Sequence, residues 1–493
     1  MQPELDVVIV GAGFGGMGAA IELKRQGLDN IAILEREDDL GGTWHVNHYP
    51  GLAVDIASVT YSYSFEPNPY WSRLFAPGAE LKRYAHHVAD KYDLKRHMEF
   101  GTVVESATWD PDEQLWRVRT ASGTERTARY LVTATGFLSQ PHVPEFPGIK
   151  NFAGTILHTA DWQDGFDFTG KKVAVIGTGA TAVQLIPEIA ARAEALTVFQ
   201  RTAIWVVPKI DFAIPPLVQQ LFGRFPLTQR AARLVNSSLL ELLMVFGVLH
   251  YKQVKPGNKL AARLAQAHLR RQIADPELRR KLTPDYDFGC KRPTFSNTYF
   301  ASFAQPNVSL QTSGIARLEA DAILAADGTR TEIDTLVLAT GFNLWDTNFP
   351  AFDIVGRDGR NLGEFWRENR FQAYEGVTVP KFPNLLSLNS PYSYSGLSYF
   401  TTIEGQMKHI ARLFGELRRR GQRTFEVTEE ANDAFLDEVT DRLQSSVFYN
   451  GDCATSRSYY FNQHGEATLL RPASTLRTLR EMDSFPLRDY EFS

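Results

Sequence analysis

Cysteine is nearly missing from this chain of 493 residues. Only Cys290 and Cys453 are present, and no CxxC pair exists. That spacing excludes a redox-active dithiol of the CxxC type and a zinc cluster, and no metal site is expected. So little cysteine fits an intracellular protein whose thiols stay reduced, and a cytoplasmic location is expected. A surplus of basic residues is also lacking. Fifty-two Lys and Arg stand against 57 Asp and Glu, a net charge of -5, which argues against a nucleic-acid partner, because duplex binders carry a basic face. Long apolar runs are absent too. The most apolar stretch, Leu239 to Leu249, is broken by Glu241 and falls short of the roughly 20 residues of a membrane span. It is expected to form a buried or lid helix, with peripheral membrane contact as the lesser alternative. The opening residues Met1-Gln2-Pro3-Glu4 lack the basic and apolar regions of a signal peptide. Short-period repeats are not seen.

What is present is ordinary for a globular enzyme: 43% hydrophobic and 22% charged residues. Aromatic residues reach 12%, which suits large planar ligands. The length exceeds the roughly 250–300 residues at which one core stops growing, so at least two domains are expected.

Asp6 to Val10 is a continuous apolar run of the kind a buried parallel strand needs. It leads into Gly11-Ala12-Gly13-Phe14-Gly15-Gly16, a helix-like segment from Met17 to Gln26, and a second strand at Ile31 to Leu34. A GxGxxG that follows a strand and opens a helix has the context of a dinucleotide site. Gly11 serves the tight turn, Gly13 the approach of a pyrophosphate, and Gly16 the packing of helix on strand. The helix N-terminus faces the phosphates with its positive end. Glu35 closes the second strand, 22 residues after Gly13, where the fingerprint places a carboxylate for ribose hydroxyls.

The pattern recurs at Lys172. Val173 to Ile176 is the strand, Gly177-Thr178-Gly179-Ala180-Thr181-Ala182 the turn, Ala182 to Ala193 the helix and Leu196 to Phe199 the next strand. Here the acidic position reads Gln200-Arg201-Thr202. An arginine there pairs with a 2′-phosphate that a carboxylate would repel. The first site therefore suits FAD or NAD and the second NADPH. Two such sites in one chain imply hydride transfer between nicotinamide and flavin. Without a cysteine pair to receive the electrons, O2 is the expected acceptor.

The expected fold class is α/β, with two Rossmann-like dinucleotide-binding domains and a helical insertion. Residues 1–145 and 335–493 are assigned to the FAD domain, 146–210 and 282–334 to the NADPH domain, and 211–281 to the insertion. Short strands are expected from Val103 to Thr135, and helices from Gly405 to Gly421 and from Glu429 to Gln444. Leu131-Val132-Thr133-Ala134-Thr135-Gly136 has a near-copy at Leu336-Val337-Leu338-Ala339-Thr340-Gly341.

The segment Phe152-Ala153-Gly154-Thr155-Ile156-Leu157-His158-Thr159-Ala160-Asp161-Trp162 resembles the FxGxxxHxxxW fingerprint of type I Baeyer–Villiger monooxygenases, a family of class B flavoprotein monooxygenases. Phe152, Gly154, His158 and Trp162 match. Gln163 departs from the Pro or Asp that follows in the family, and Asp164 comes one residue later. Gly41-Gly42-Thr43-Trp44, Tyr49-Pro50-Gly51 to Asp55, Phe199-Gln200-Arg201-Thr202 and Gly289-Cys290-Lys291-Arg292-Pro293 extend the resemblance over most of the chain. It implies FAD and NADPH as cofactors, with Gly42, Thr43, Trp44 and Asp55 beside the flavin. Gly177, Gly179, Thr181, Arg201, Thr202 and Lys291 would hold NADPH. Arg292 is implied as the active-site cation, positioned by Asp55. A C4a-peroxyflavin formed from O2 would attack a ketone and give an ester or lactone. The fingerprint would couple domain motion to catalysis, or serve as packing anchors on a linker. Oxidation of nitrogen or sulfur by a class B flavin monooxygenase is the alternative. The ketone pocket is expected to be lined by the insertion and by Ser390 to Thr402. The apolar residues from Leu217 to Leu249 suggest a hydrophobic substrate.

Overall fold

A computed structural model describes residues 3–394 and 396–493, without the side chains of Leu243 and Met244. Met1-Gln2, read above for targeting, and Ser395 of the expected pocket loop lie outside the described residues.

The first apolar run forms the strand Leu5–Val10, with Val7, Val8 and Ile9 fully buried. It pairs in parallel with Ile31–Leu34 on one side and Glu125–Thr133 on the other. Neither Leu5–Val10 nor Ile31–Leu34 alternates polar with apolar residues, as expected of strands covered on both faces. Each fully buried Val or Ile contributes about 1.5–3 kcal/mol. The helix Phe14–Arg25 crosses between the two strands, and Gly27 stops it in a left-handed conformation, φ +91°. The expected strands after Val103 are Val104–Asp110, Leu115–Thr120 and Glu125–Thr133, an antiparallel meander. Together with Asp353–Val355, Met98–Glu99 and Leu385–Ser387 they complete an eight-stranded sheet. The helices Tyr399–Arg420 and Glu429–Leu443 occupy the C-terminal part, the first starting six residues before Gly405.

The second glycine motif lies in a separate parallel sheet. Its order is Val308–Gln311, Ala195–Phe199, Lys172–Ile176, Thr335–Leu338, Thr155–His158. The helix Ala180–Ala190 follows the turn. The strand Thr335–Leu338 corrects the boundary drawn at 335. It pairs with both Lys172–Ile176 and Thr155–His158, so the chain completes the second sheet before it returns to the first. An apolar run of four residues suits either sheet equally, and only the pairing distinguishes them. Thr155–His158, expected on a linker, is instead the edge strand of this sheet.

The insertion is helical, as expected. It runs through Pro216–Arg224, Pro226–Leu240, a π turn at Glu241–Val245, Phe246–Leu249, Tyr251–Gln272 and Pro276–Leu282. Its leucines do not all face inward. Leu227 and Leu234 are exposed, and within Leu239–Leu249, expected to form a buried or lid helix, Val245 and Leu249 are buried while Leu239, Leu242 and Phe246 are exposed. No helix among the described residues is long and apolar enough to cross a membrane.

The two cysteines are not reduced thiols. Cys290 and Cys453 form a disulfide, in place of the reduced thiols expected from their scarcity. Their distance in sequence hid a contact that only the fold creates.

Candidate active site

Both glycine loops open into one cleft of about 1100 Å³, larger than the roughly 300–1,000 Å³ of a single small-molecule pocket. Gly11, Gly13 and Glu35 line one end, and Gly177, Gly179 and Thr181 another. Gly11 has φ +109° and Gly177 φ +116°. A Cβ at Gly11 would lie 2.6 Å from the carbonyl oxygen of Ala134, and one at Gly177 would lie 2.2 Å from that of Ala339. The two ATG segments thus press against the two glycine turns in the same way, and a side chain at either glycine would push them apart. Gly16 lies beneath the first loop, where a Cβ would meet the Gly11 carbonyl oxygen at 1.9 Å. Nothing stands within 4 Å of a Cβ placed on Gly179, so that cradle is open toward the cleft.

Glu35 is buried at the end of its strand. Its carboxylate accepts from the backbone N–H of Ala12 at 2.7 Å and of Glu37 at 3.1 Å. It therefore braces the glycine turn while facing the cleft. Gly42 and Thr43 begin the short helix Thr43–Val46, and Trp44 packs edge-on against Tyr61 with centroids 5.6 Å apart. All three line the cleft. Tyr49, a few residues on, donates from its hydroxyl to Gln184 Oε1 at 3.1 Å. This joins the segment carrying Asp55 to the helix of the second domain.

Arg292 sits where the two dinucleotide ends converge. Its Nε donates to Asp55 Oδ2 at 2.9 Å and its Nη1 to the Tyr394 hydroxyl at 2.9 Å. The side chain is only 16% exposed. Burial disfavours its charge, but the Asp55 carboxylate outweighs this, with contributions from Tyr394, Tyr460 and Tyr459, and holds its pKa well above the usual arginine range. The guanidinium is a permanent, fixed cation with donor positions left over.

A second group of cations stands without a counterion among the described residues. Burial lowers the pKa of Lys291, and the Arg201 charge lowers it further. Arg201 is lowered in turn by burial and then by Arg457. All three line the cleft beside Thr202, and among the described residues no carboxylate pairs with any of them. Three cations around open space, with Arg201 between the charges of Lys291 and Arg457, fit a phosphate dianion, the group an NADPH site must hold. Arg457 was not found from sequence. It belongs to no glycine motif and lies in the C-terminal segment tied down by Cys453. That segment also brings Tyr459 and Tyr460 to Arg292. Tyr394 was placed in a pocket wall, but not as a partner of the arginine.

The fingerprint residues stand apart from the cleft. Phe152 packs in the core with Ile176 and Phe199, and Trp162 lies 6.0 Å from Phe168. Gly154 is pressed against the Asp334 backbone. His158 is buried, its Nδ1 accepts from the Ala160 N–H at 3.1 Å, and its Nε2 lies 3.5 Å from Thr340 Oγ1. Burial lowers its pKa.

This fold and cleft define a flavoenzyme architecture with two dinucleotide sites. The model of the flavin-binding monooxygenase-like family matches residues 4–355, and the chain belongs to that family. A Baeyer-Villiger monooxygenase of Streptomyces coelicolor is 37% identical over 488 residues, covering 98% of this chain and 92% of its own. One of Pseudomonas aeruginosa is 39% identical over 473 residues, covering 96% and 88%. An open crystal structure of cyclohexanone monooxygenase superimposes with a TM-score of 0.86 at 28% identity, over 100% of both chains. Oxidized steroid monooxygenase bound to NADP gives 0.87 at 30% identity, over 100% of this chain and 99% of its own.

Proposed function

We propose that this protein is an FAD- and NADPH-dependent Baeyer–Villiger monooxygenase, inserting one atom of O2 beside a ketone carbonyl. The observation that carries this reading is Arg292, largely enclosed and held by Asp55 and Tyr394, in a cleft shared by both glycine loops. FAD, when bound and reduced by NADPH, supplies the electrons that activate O2. The residues do the rest. Gly11 and Gly13 would hold the FAD pyrophosphate and Glu35 its ribose, with Gly16 packing the helix beneath the turn. Arg201, Lys291 and Arg457 hold the 2′-phosphate that distinguishes NADPH, with Gly177, Gly179, Thr181 and Thr202 forming the rest of that site. Trp44, with Gly42 and Thr43, walls the flavin side.

Arg292 meets the negative charge that develops on the ketone oxygen as oxygen is added beside it. A preorganised donor aimed at such an oxygen is worth about 10²–10³ in rate. Asp55 and Tyr394 take two of its N–H groups and fix the direction of the others. His158 acts from the second domain's edge strand Thr155–His158, with Phe152, Gly154 and Trp162 flanking it. His158 reaches the second ATG turn through Thr340, which fits a role in coupling domain position to the cleft.

Ketone-dependent NADPH oxidation with product analysis tests this reading. Ester or lactone from a ketone supports it. Turnover that yields only N-oxides or sulfoxides favours heteroatom oxidation.

A further inference from the structure

The helix Pro226–Leu240 is turned inside out. Its inward side is polar. Gln229 Nε2 donates to the Asn68 carbonyl at 2.7 Å, Arg233 Nη1 to the Ser62 carbonyl at 2.8 Å and Asn236 Nδ2 to Thr60 Oγ1 at 2.7 Å. Its outward side is apolar. Leu227, Leu234, Val235 and Leu239 follow one another at helical spacing, and Leu242 and Phe246 continue the stripe through the π turn. Leu234 is 68% exposed and Val235 70%. A helix normally buries its apolar stripe against its own protein, and a continuous exposed one marks an interaction surface.

Charge points to what covers it. Residues 216–272 carry nine Lys or Arg and one acid, Glu241, in a chain whose net charge is -5. Glu241 is itself occupied, accepting from the Thr475 N–H at 2.9 Å and from its hydroxyl. Arg230 lies on the outward side of the inverted helix, and the following long helix exposes Lys252, Lys255, Lys259 and Arg263 alongside Leu260 and Leu264. A surface of one sign repels a second copy of itself. Exposed leucines among lysines and arginines match the interface of an anionic bilayer, apolar side chains at the acyl boundary and cations at the headgroups.

We propose that this helical face docks on an anionic lipid surface. The same stretch of chain connects that surface to the site. Val245, Val248 and Leu249, on the other side of the segment that exposes Leu242 and Phe246, line a small cavity against Arg292 and Pro293. A lipid-dissolved substrate would have one helix to pass.

The test is co-sedimentation of the full-length, FAD-loaded protein with vesicles of phosphatidylcholine alone or mixed equally with phosphatidylglycerol. Binding to the anionic vesicles should be at least about tenfold stronger, since each basic residue at the surface contributes about 1 kcal/mol. It should weaken with salt. The triple variant Leu234→Ser, Leu239→Ser, Leu242→Ser should lose binding while NADPH still reduces its flavin at the unchanged rate, which shows that the variant is folded. Protein that stays in the supernatant with anionic vesicles overturns the proposal. So does a concentration-dependent dimer that the same triple variant dissolves, and so does triple-variant binding equal to that of the unchanged protein.

Discussion

Arg292 Nε and Asp55 Oδ2 lie 2.9 Å apart across 237 residues of sequence. Asp55 comes from the loop that follows the first glycine unit, and Arg292 from the segment after the insertion, so the pair exists only when both regions are folded together. Replacing Arg292 with Ala should lower ester formation by about 10²–10³. Anaerobic flavin reduction by NADPH should persist, because hydride transfer creates no oxyanion here. Stopped-flow reduction and product yield separate the two steps.

Tyr394→Phe removes one of the hydrogen bonds that aim the guanidinium and leaves Asp55 in place. A hydrogen bond to a charged group is worth about 1.5–3 kcal/mol, so oxygenation should fall about tenfold or more while flavin reduction is unchanged. Product formation per NADPH consumed is the readout, because a less well-aimed cation releases more hydrogen peroxide.

Arg201→Ala, Lys291→Ala and Arg457→Ala should each weaken NADPH and leave NADH nearly untouched. Removing Arg201 also relieves Lys291, and removing Arg457 relieves Arg201, in the absence of cofactor. The ratio of KM values for the two cofactors measures the effect, and equal losses for both would assign these residues to some other task.

Among these site residues, the glycines and Glu35 were legible because their spacing within one strand–turn–helix unit carries the chemistry. Arg292 and Asp55 were legible only through resemblance, since no local pattern links residues so far apart. Arg457 was missed because its neighbours Arg201 and Lys291 come from other regions of the chain. The paired cysteines were misread for the same reason. The insertion's helices were visible in its pattern, but periodicity fixes a helix's two sides without saying which one faces the protein. The strand Thr335–Leu338 was assigned to the wrong sheet because four apolar residues carry no mark of their neighbours.

The disulfide joins the Lys291-Arg292 segment to the segment that carries Arg457, Tyr459 and Tyr460. The two are also bound by Asp287 and Asp452, whose backbones meet at 2.9 Å, and by Thr455 on Asp285 at 3.0 Å. Closing so long a loop stabilises the fold by about 5 kcal/mol on the chain-entropy argument. The double variant Cys290→Ser, Cys453→Ser should melt at a lower temperature and bind NADPH more weakly. Intact mass before and after reduction checks the pairing itself, through the gain of two hydrogen atoms.

Acid should destabilise the protein before its carboxylates titrate. Burial lowers the pKa of His158, and burial with the nearby Arg471 and Arg412 charges takes that of His409 well below 6.5. His409 is stacked on Phe485 at 4.0 Å, with Nε2 2.8 Å from the Tyr490 hydroxyl. Both are neutral in the fold, whereas the unfolded chain takes up protons near pH 6.5. Their contribution is therefore fully present above about 6.5 and is lost as pH falls from there toward the folded values. Each group adds a slope of up to about 1.4 kcal/mol per pH unit in that window. Melting curves between neutral and mildly acidic pH should show the fall, and His409→Leu should flatten it.

The most direct test of the central claim is turnover of cyclic, linear and aryl ketones with purified protein, FAD, NADPH and 18O2, followed by mass spectrometry. An ester or lactone carrying one 18O per molecule is the predicted result. NADPH consumption that yields only hydrogen peroxide with every ketone, alongside labelled N-oxide or sulfoxide from amines or thioethers, would contradict it.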